Sequence, residues 1–197
     1  MTRTLLQLAG ADLTPPRLAE AVVIVIDAQR EYVDGALPLP GVNAALDRIE
    51  ALLSSARAAG AAIVQVRHKG RSGGLFDPET ANFAFADAAA PRDGETVVEK
   101  ALPNSFAGTD LKDVLDAAGR KRLVISGFMT HMCVSATARA ALDLGYQSTV
   151  LSDATATRDL PSVDGSGVVS ARDLHLVELA ALADRFAIVC ATADVLD

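Results

Sequence analysis

The chain has 197 residues, half of them hydrophobic and 22% charged, with a net charge of −7. That length accommodates a substantial core, and that composition excludes a disordered chain. The acidic balance and the lack of a basic cluster exclude a nucleic-acid-binding surface.

The N-terminal apolar patch "LLQLAGA" is too short for the hydrophobic region of a signal peptide. No run approaches the ~18 apolar residues that a membrane span needs, so no membrane association is expected. Two cysteines, Cys133 and Cys190, do not make a disulfide framework. The expectation is a reduced, cytoplasmic protein.

In chain order, "AVVIVID" (21–27) reads as a buried strand from its β-branched content. Residues 41–60 read as a helix, with Val42, Leu46, Ile49, Leu52 and Leu53 on one face and Gly60 as its stop. Strands follow at 62–68 and, more weakly, at 95–100. A helix at 108–119 has Thr109 as its expected N-cap and Gly119 as its stop. A strand at 122–127 precedes a helix at 133–145, and a strand at 147–153 follows. The last pair is an amphipathic helix at 171–184 and a strand at 186–191.

Strands separated by helices imply parallel pairing with right-handed crossovers. The expected fold class is α/β: a three-layer α/β/α sandwich with a mostly parallel six-stranded sheet. It forms one domain over 1–197, with its core at about 21–190. Such sheets bind ligands beyond the carboxyl ends of their strands. The candidate positions are then Asp27, His68, Lys100, the segment 127–133, and Asp153. The irregular stretch 69–94 is long enough to form a lid, a pocket wall or an interface. No Gly-rich phosphate loop follows the first strand, so no nucleotide cofactor is expected.

Asp27, Lys100 and Cys133 are chemically complementary. A free thiol has a pKa of about 8.5 and needs help to become a nucleophile. A carboxylate can take its proton, and an ammonium and a helix N-terminus both favour the thiolate. Backbone N–H groups beside Cys133 could hold a developing oxyanion. Taken singly, each residue has a structural reading too: Asp27 as a turn former, Lys100 as a surface lysine, Cys133 as a small buried apolar group.

Three segments, "VVIVIDAQREYV", "EKALPNSFAGTDL" and "ISGFMTHMCVSATARAALDLGYQSTVLSDATATRD", occur in an order and spacing that resemble the isochorismatase-like cysteine hydrolase superfamily. That group includes nicotinamidases, N-carbamoylsarcosine amidohydrolase and ureidoacrylate-type amidohydrolases. The resemblance spans about 21–189. It implies Asp27 as the acid of a D-x-Q signature, with Gln29 matching. It implies Lys100 as the catalytic lysine ahead of Ser105, Phe106, Gly108, Thr109 and Leu111. It implies Cys133 as the nucleophile of a G-x-x-T-x-x-C-V pattern formed by Gly127, Thr130, Cys133 and Val134. It also implies a non-proline cis peptide at Phe128–Met129, with the N–H groups of Met129 and Cys133 facing the oxyanion.

Two departures narrow the reading. Nicotinamidases carry an Asp-x-His plus His metal site; this chain has three histidines, His68, His131 and His175, and no D-x-H after the first strand. No metal and no other cofactor is therefore expected. Isochorismatases proper cleave a vinyl ether without a nucleophilic Cys, whereas Cys133 favours an acyl intermediate.

The expected activity is thus metal-independent cysteine hydrolysis of an amide or ureido C–N bond in a small molecule, through a thioester. The alternatives are a non-catalytic binding or redox-responsive protein with Cys133 as an oxidisable thiol, and a vinyl-ether hydrolase. Substrate-binding candidates are Gln29, Tyr32, His68, Thr130 and His131. His175 reads as packed or partly exposed in its helix, and Cys190 as core. Phe83 and Phe85 would cover the mouth or an interface, and Asp153 would pair with Arg158. The resemblance also implies a homo-oligomer, dimer or tetramer.

Overall fold

The sheet is organised around strand β1, Ala21–Ile26, which has no exposed residue. Val23 and Val25 point to one face, Val22, Ile24 and Ile26 to the other, as the two-residue period of a strand requires. A strand covered on both faces reads as an unbroken apolar run rather than an alternating one.

The structure is a computed structural model that describes residues 2–196; Met1 and Asp197, the ends of the expected domain, lie outside the described residues. Strands β2 (Ala62–His68), β3 (Thr96–Lys100), β4 (Arg122–Phe128) and β5 (Gln147–Ala156) follow. A two-residue-per-strand hairpin, β6 (Leu160–Pro161) and β7 (Val168–Val169), precedes the edge strand β8, Ala187–Cys190. The main sheet has six strands in the order β3-β2-β1-β4-β5-β8, and every pairing in it is parallel.

Helix α1 is a single capped turn, Leu5–Leu8. Helix α2, Val42–Ala58, covers one face of the sheet through Leu46, Ile49, Leu52 and Leu53. Helices α3 (Leu111–Ala118), α4 (Ser135–Asp143) and α5 (Ala171–Arg185) cover the other through Leu111, Leu115, Ala138, Leu179 and Leu182. This is the expected α/β/α sandwich with its six parallel strands. Among the described residues no helix is long and apolar enough to cross a membrane.

Several boundaries differ from the expectation, each for a tertiary reason. Strand β5 runs past Asp153 to Ala156, because Asp153 is bonded by the Thr192 N–H and hydroxyl, both at 2.7 Å, and faces Arg48 at 3.5 Å. The expected Asp153–Arg158 pair therefore does not form. Helix α3 starts at Leu111 after Asp110, and the Thr109 hydroxyl accepts the Leu111 N–H from one residue further back. Cys133 precedes α4 rather than opening it, in a wide π-type turn over Thr130–Val134. Helix α5 buries Leu179 and Leu182 but exposes Leu176 and Val177, so its apolar face is less clean than its sequence suggests. Cys190 is half-buried on the edge strand rather than fully in the core.

Chain order makes β1 the switch point: the chain builds outward through β2 and β3, then returns to build β4 on the other side of β1. The crevice beyond the carboxyl ends of β1 and β4 is where such sheets place their ligands. The two backbones are closest there. Gly127 is the register partner of Ile26. Its φ is +107°, and a Cβ at this position would lie 2.0 Å from the Ile26 carbonyl oxygen.

Gly127→Ala is therefore expected to cost about 3 kcal/mol or more through backbone strain and clash. That corresponds to a fall in Tm of roughly 6–12 °C for a chain of this size. A thermal unfolding scan showing no loss would contradict the close approach.

Candidate active site

Asp27 leaves β1 with φ +50°, in the left-handed region that Asp tolerates better than most residues. Its N–H donates to Val66 O at 2.8 Å, and its carbonyl accepts the Gln29 N–H at 2.8 Å. This turn holds the carboxylate at the end of the crevice. Lys100 ends β3, two strands away, and its long side chain crosses the end of β2 to reach Asp27 Oδ2 at 2.7 Å. The ammonium also donates to Cys133 Sγ at 3.3 Å. Asp27 and Lys100 have fully buried side chains, and Cys133 is buried. The acid, the ammonium and the sulfur, far apart in sequence, thus meet at one rim of the sheet.

The electrostatics differ from the sequence expectation. Among the described residues no backbone N–H donates to the Asp27 carboxylate. Burial raises its pKa, against the lowering effect of Lys100 and the Cys133 thiol. Burial first, and then the Asp27 charge, push the Cys133 thiol up to about 12, outweighing Lys100. Burial thus favours the neutral thiol over a standing thiolate, beside a carboxyl whose own pKa burial also raises. Desolvation explains this: a buried anion needs compensation, and the Lys100 cation is already shared with Asp27.

The turn that carries Cys133 is pinned from both sides. The Phe128–Met129 peptide is cis. The Met129 carbonyl accepts the N–H groups of Met132 and Val134, at 3.0 and 3.2 Å. Thr130 contacts His175 Nδ1 at 2.9 Å, and His175 Nε2 reaches Ser152 O at 3.1 Å. A carbonyl can only accept, so His175 carries its proton on Nε2 and Thr130 donates to Nδ1. Burial lowers the His175 pKa, which keeps it neutral. His175 is thus more than packed: it latches α5 to the turn that carries Cys133. The partners lie 45 residues apart, so no local signal marked them. Behind Lys100, the Ser105 N–H and hydroxyl both bond Thr137 Oγ1, at 3.0 and 2.9 Å. Phe106 stacks on Tyr146 at 6.0 Å. The segment after Lys100 is a buttress to α4.

Three expected substrate-binding residues have other work. Gln29 is fully buried; it donates to His68 O and Phe83 O and accepts the His68 N–H. Tyr32 is buried edge-on against Phe76 and Phe128. Thr130 is fully buried and committed to His175. None has free surface to offer a ligand. His68 and His131 keep partial exposure. His131 Nδ1 bonds the Thr157 hydroxyl, and burial and then Arg158 lower its pKa. His68 lines an open cavity of about 720 Å³ together with Lys69, Gly70, Arg71 and Lys100.

The stretch 69–94 is strapped down rather than free. Arg30 N–H donates to Ala84 O at 2.9 Å and Ala86 N–H to Ala28 O at 2.8 Å. Buried Glu31, which sequence reasoning missed, accepts the N–H groups of Ala36 and Phe76. Phe83 and Phe85 lie against the Arg67 guanidinium, at 4.3 and 5.7 Å, rather than over the thiol. Among the described residues no three His, Cys, Asp or Glu side chains converge as metal ligands would.

Comparison with known proteins places the chain in a family. The isochorismatase domain model matches residues 21–194. A crystal structure of an isochorismatase from Pseudomonas putida KT2440 superposes with a TM-score of 0.95 at 43% identity, covering 99% of this chain and 100% of that one. A secreted isochorismatase effector of Verticillium dahliae is 38% identical over 185 residues, 92% of this chain and 94% of its own. The maleamate amidohydrolase of Pseudomonas putida KT2440 is 29% identical over 153 residues, 69% of this chain and 72% of its own.

Two outcomes follow from the buried pair. Lys100→Met leaves Asp27 an uncompensated buried charge and is expected to cost about 3–5 kcal/mol in denaturant unfolding; adding Asp27→Asn should recover part of that loss. The ultraviolet difference spectrum between wild type and Cys133→Ser should show no thiolate band at neutral pH, appearing only as pH rises toward the elevated thiol pKa of about 12. A full thiolate band at pH 7 would overturn the protonated resting state.

Proposed function

The chain belongs to the isochorismatase family, and from that premise we propose that it is a metal-independent cysteine hydrolase. Its substrate is a small molecule with an amide or ureido C–N bond. The observation that carries the reading is the contact of Cys133 Sγ with Lys100 Nζ at 3.3 Å, while Lys100 holds Asp27 at 2.7 Å. The amidohydrolase relative favours a C–N bond as the target.

In this mechanism Cys133 attacks the carbonyl carbon as its proton passes to Asp27. The negative charge moves to the carbonyl oxygen, held by the N–H groups of Met129 and Cys133. As the tetrahedral species collapses, the C–N bond breaks and Asp27 returns its proton to the leaving nitrogen. That step explains the value of a carboxyl with a raised pKa: the desolvated acid readily holds a proton until nitrogen needs it. A water molecule then gives a proton to Asp27 while attacking the thioester carbonyl. The sulfur leaves stabilised by Lys100 and takes the proton back from Asp27.

The test is a panel of small amides and ureido compounds, with acid-quenched mass spectrometry during turnover. The expected result is a transient acyl adduct on Cys133, and loss of at least about a thousandfold in kcat for Cys133→Ala at unchanged Tm. Hydrolysis of a confirmed substrate at the wild-type rate by Cys133→Ala would refute the nucleophile. Peroxide-dependent modification of Cys133, with no hydrolysis across the panel, would instead favour a redox-responsive protein.

A further inference from the structure

His68 and Lys100 are register partners at the carboxyl ends of β2 and β3. Their side chains leave the sheet on the same face. The Lys100 ammonium has three N–H groups and no lone pair. Two of its contacts are Asp27 Oδ2 at 2.7 Å and Cys133 Sγ at 3.3 Å. The third is His68 Nδ1 at 3.2 Å. Since lysine only donates, Nδ1 is the acceptor, and the imidazole proton is assigned to Nε2. The Lys100 side chain is fully buried, so bulk water does not replace a missing acceptor.

We propose that His68 is a positioning residue of the site: its Nδ1 lone pair takes the third ammonium N–H and thereby aims Lys100 at both Asp27 and Cys133. The inference builds on the reading of Cys133 as the nucleophile. It differs from a substrate-binding role, because the atom that matters faces the lysine and not the cavity.

The surroundings of the ring fit that task. The Gln29 amide clamps the His68 backbone, accepting its N–H at 2.7 Å and donating to its carbonyl at 3.0 Å. Phe76, from the strapped stretch 69–94, packs edge-on against the imidazole at 5.1 Å. The ring is therefore fixed at both its root and its flank. The charged groups that share its cavity are Lys69, Arg71 and Glu99, with Lys100 from β3; Asp27 and Cys133 lie beyond Lys100. Burial and then Lys100 lower the His68 pKa to about 4, which leaves Nδ1 unprotonated through the neutral range. Gln29 then has a clear purpose: it positions the residue that positions the lysine.

The test needs no substrate. Iodoacetamide alkylation of Cys133, followed by mass spectrometry in a Cys190→Ser background at mildly alkaline pH, reports how readily the sulfur ionises. Three variants separate the two ring nitrogens. His68→Asn places an amide oxygen where Nδ1 was. His68→Gln offers its polar group nearer the Nε2 position. His68→Phe keeps a ring against Phe76 but has no acceptor. The expected result is alkylation within about threefold of wild type for His68→Asn, and about tenfold or more slower for His68→Gln and His68→Phe, the size of loss that follows an unsatisfied buried donor. Equal loss in all three, or no loss in any, would overturn the proposal, and thermal scans identify a variant that fails to fold. Were His68→Phe to unfold, the contrast between His68→Asn and His68→Gln would still decide it. Alkylation requires no turnover, so its outcome stands apart from the panel that tests hydrolysis.

Discussion

The buried Lys100–Asp27 contact is the interaction on which the rest of the site depends. Two opposite charges with no exposed side-chain surface are costly to assemble, because both lose their hydration. The cost is bearable only when each remaining donor and acceptor finds a partner. Lys100 meets that condition through Cys133 and His68. Asp27 does not: among the described residues its close partners are Lys100 and the thiol. That asymmetry makes the carboxyl the group poised to gain a proton, and the thiol the group next to it that can supply one.

The scaffold places these groups by backbone geometry more than by local preference. Asp27 turns inward because its φ is positive, and the turn is fastened to β2 through Val66. The turn that carries Cys133 approaches because Gly127 has no Cβ to strike Ile26. Lys100 enters from the far side of β2, over a distance that a long unbranched side chain can span. Each contribution comes from a different strand end, so small displacements of the sheet would separate the groups. The buttresses at Ser105–Thr137, Thr130–His175 and Gln29–His68 oppose such displacement with buried or half-buried hydrogen bonds.

Much of this was legible in the sequence. Apolar runs such as 21–26 announce strands buried on both faces, and the rule about carboxyl ends singles out Asp27, His68 and Lys100 without any comparison. What was not legible depends on partners distant in the chain. Asp153 reads as a strand end because it is charged, yet Thr192 and Arg48 let the strand continue through it. Gln29, Tyr32 and Thr130 read as ligand contacts because they flank the signature residues, yet burial commits them to Phe83, Phe76 and His175. The protonation state of Cys133 was missed for a related reason. A lysine and a helix start nearby suggest a thiolate, but desolvation is a property of the packed molecule, and here it is the largest influence on the thiol.

A protonated resting thiol is consistent with nucleophilic catalysis once the charges are followed through the reaction. In the proposed reaction the site starts with one cation, Lys100, and one anion, Asp27, beside two neutral groups, Cys133 and His68. Moving the thiol proton to Asp27 transfers the negative charge to sulfur, and attack transfers it again to the substrate oxygen. The sum stays at zero throughout, with the anion always near the same fixed cation. A buried site cannot easily tolerate a change in net charge, but it can tolerate charge relocation among groups already in contact. Lys100 can play this part only while its own charge and direction are constant. A neutral imidazole accepting its third N–H supplies that constancy without adding a second anion, which would hold the thiol still more firmly in its protonated form.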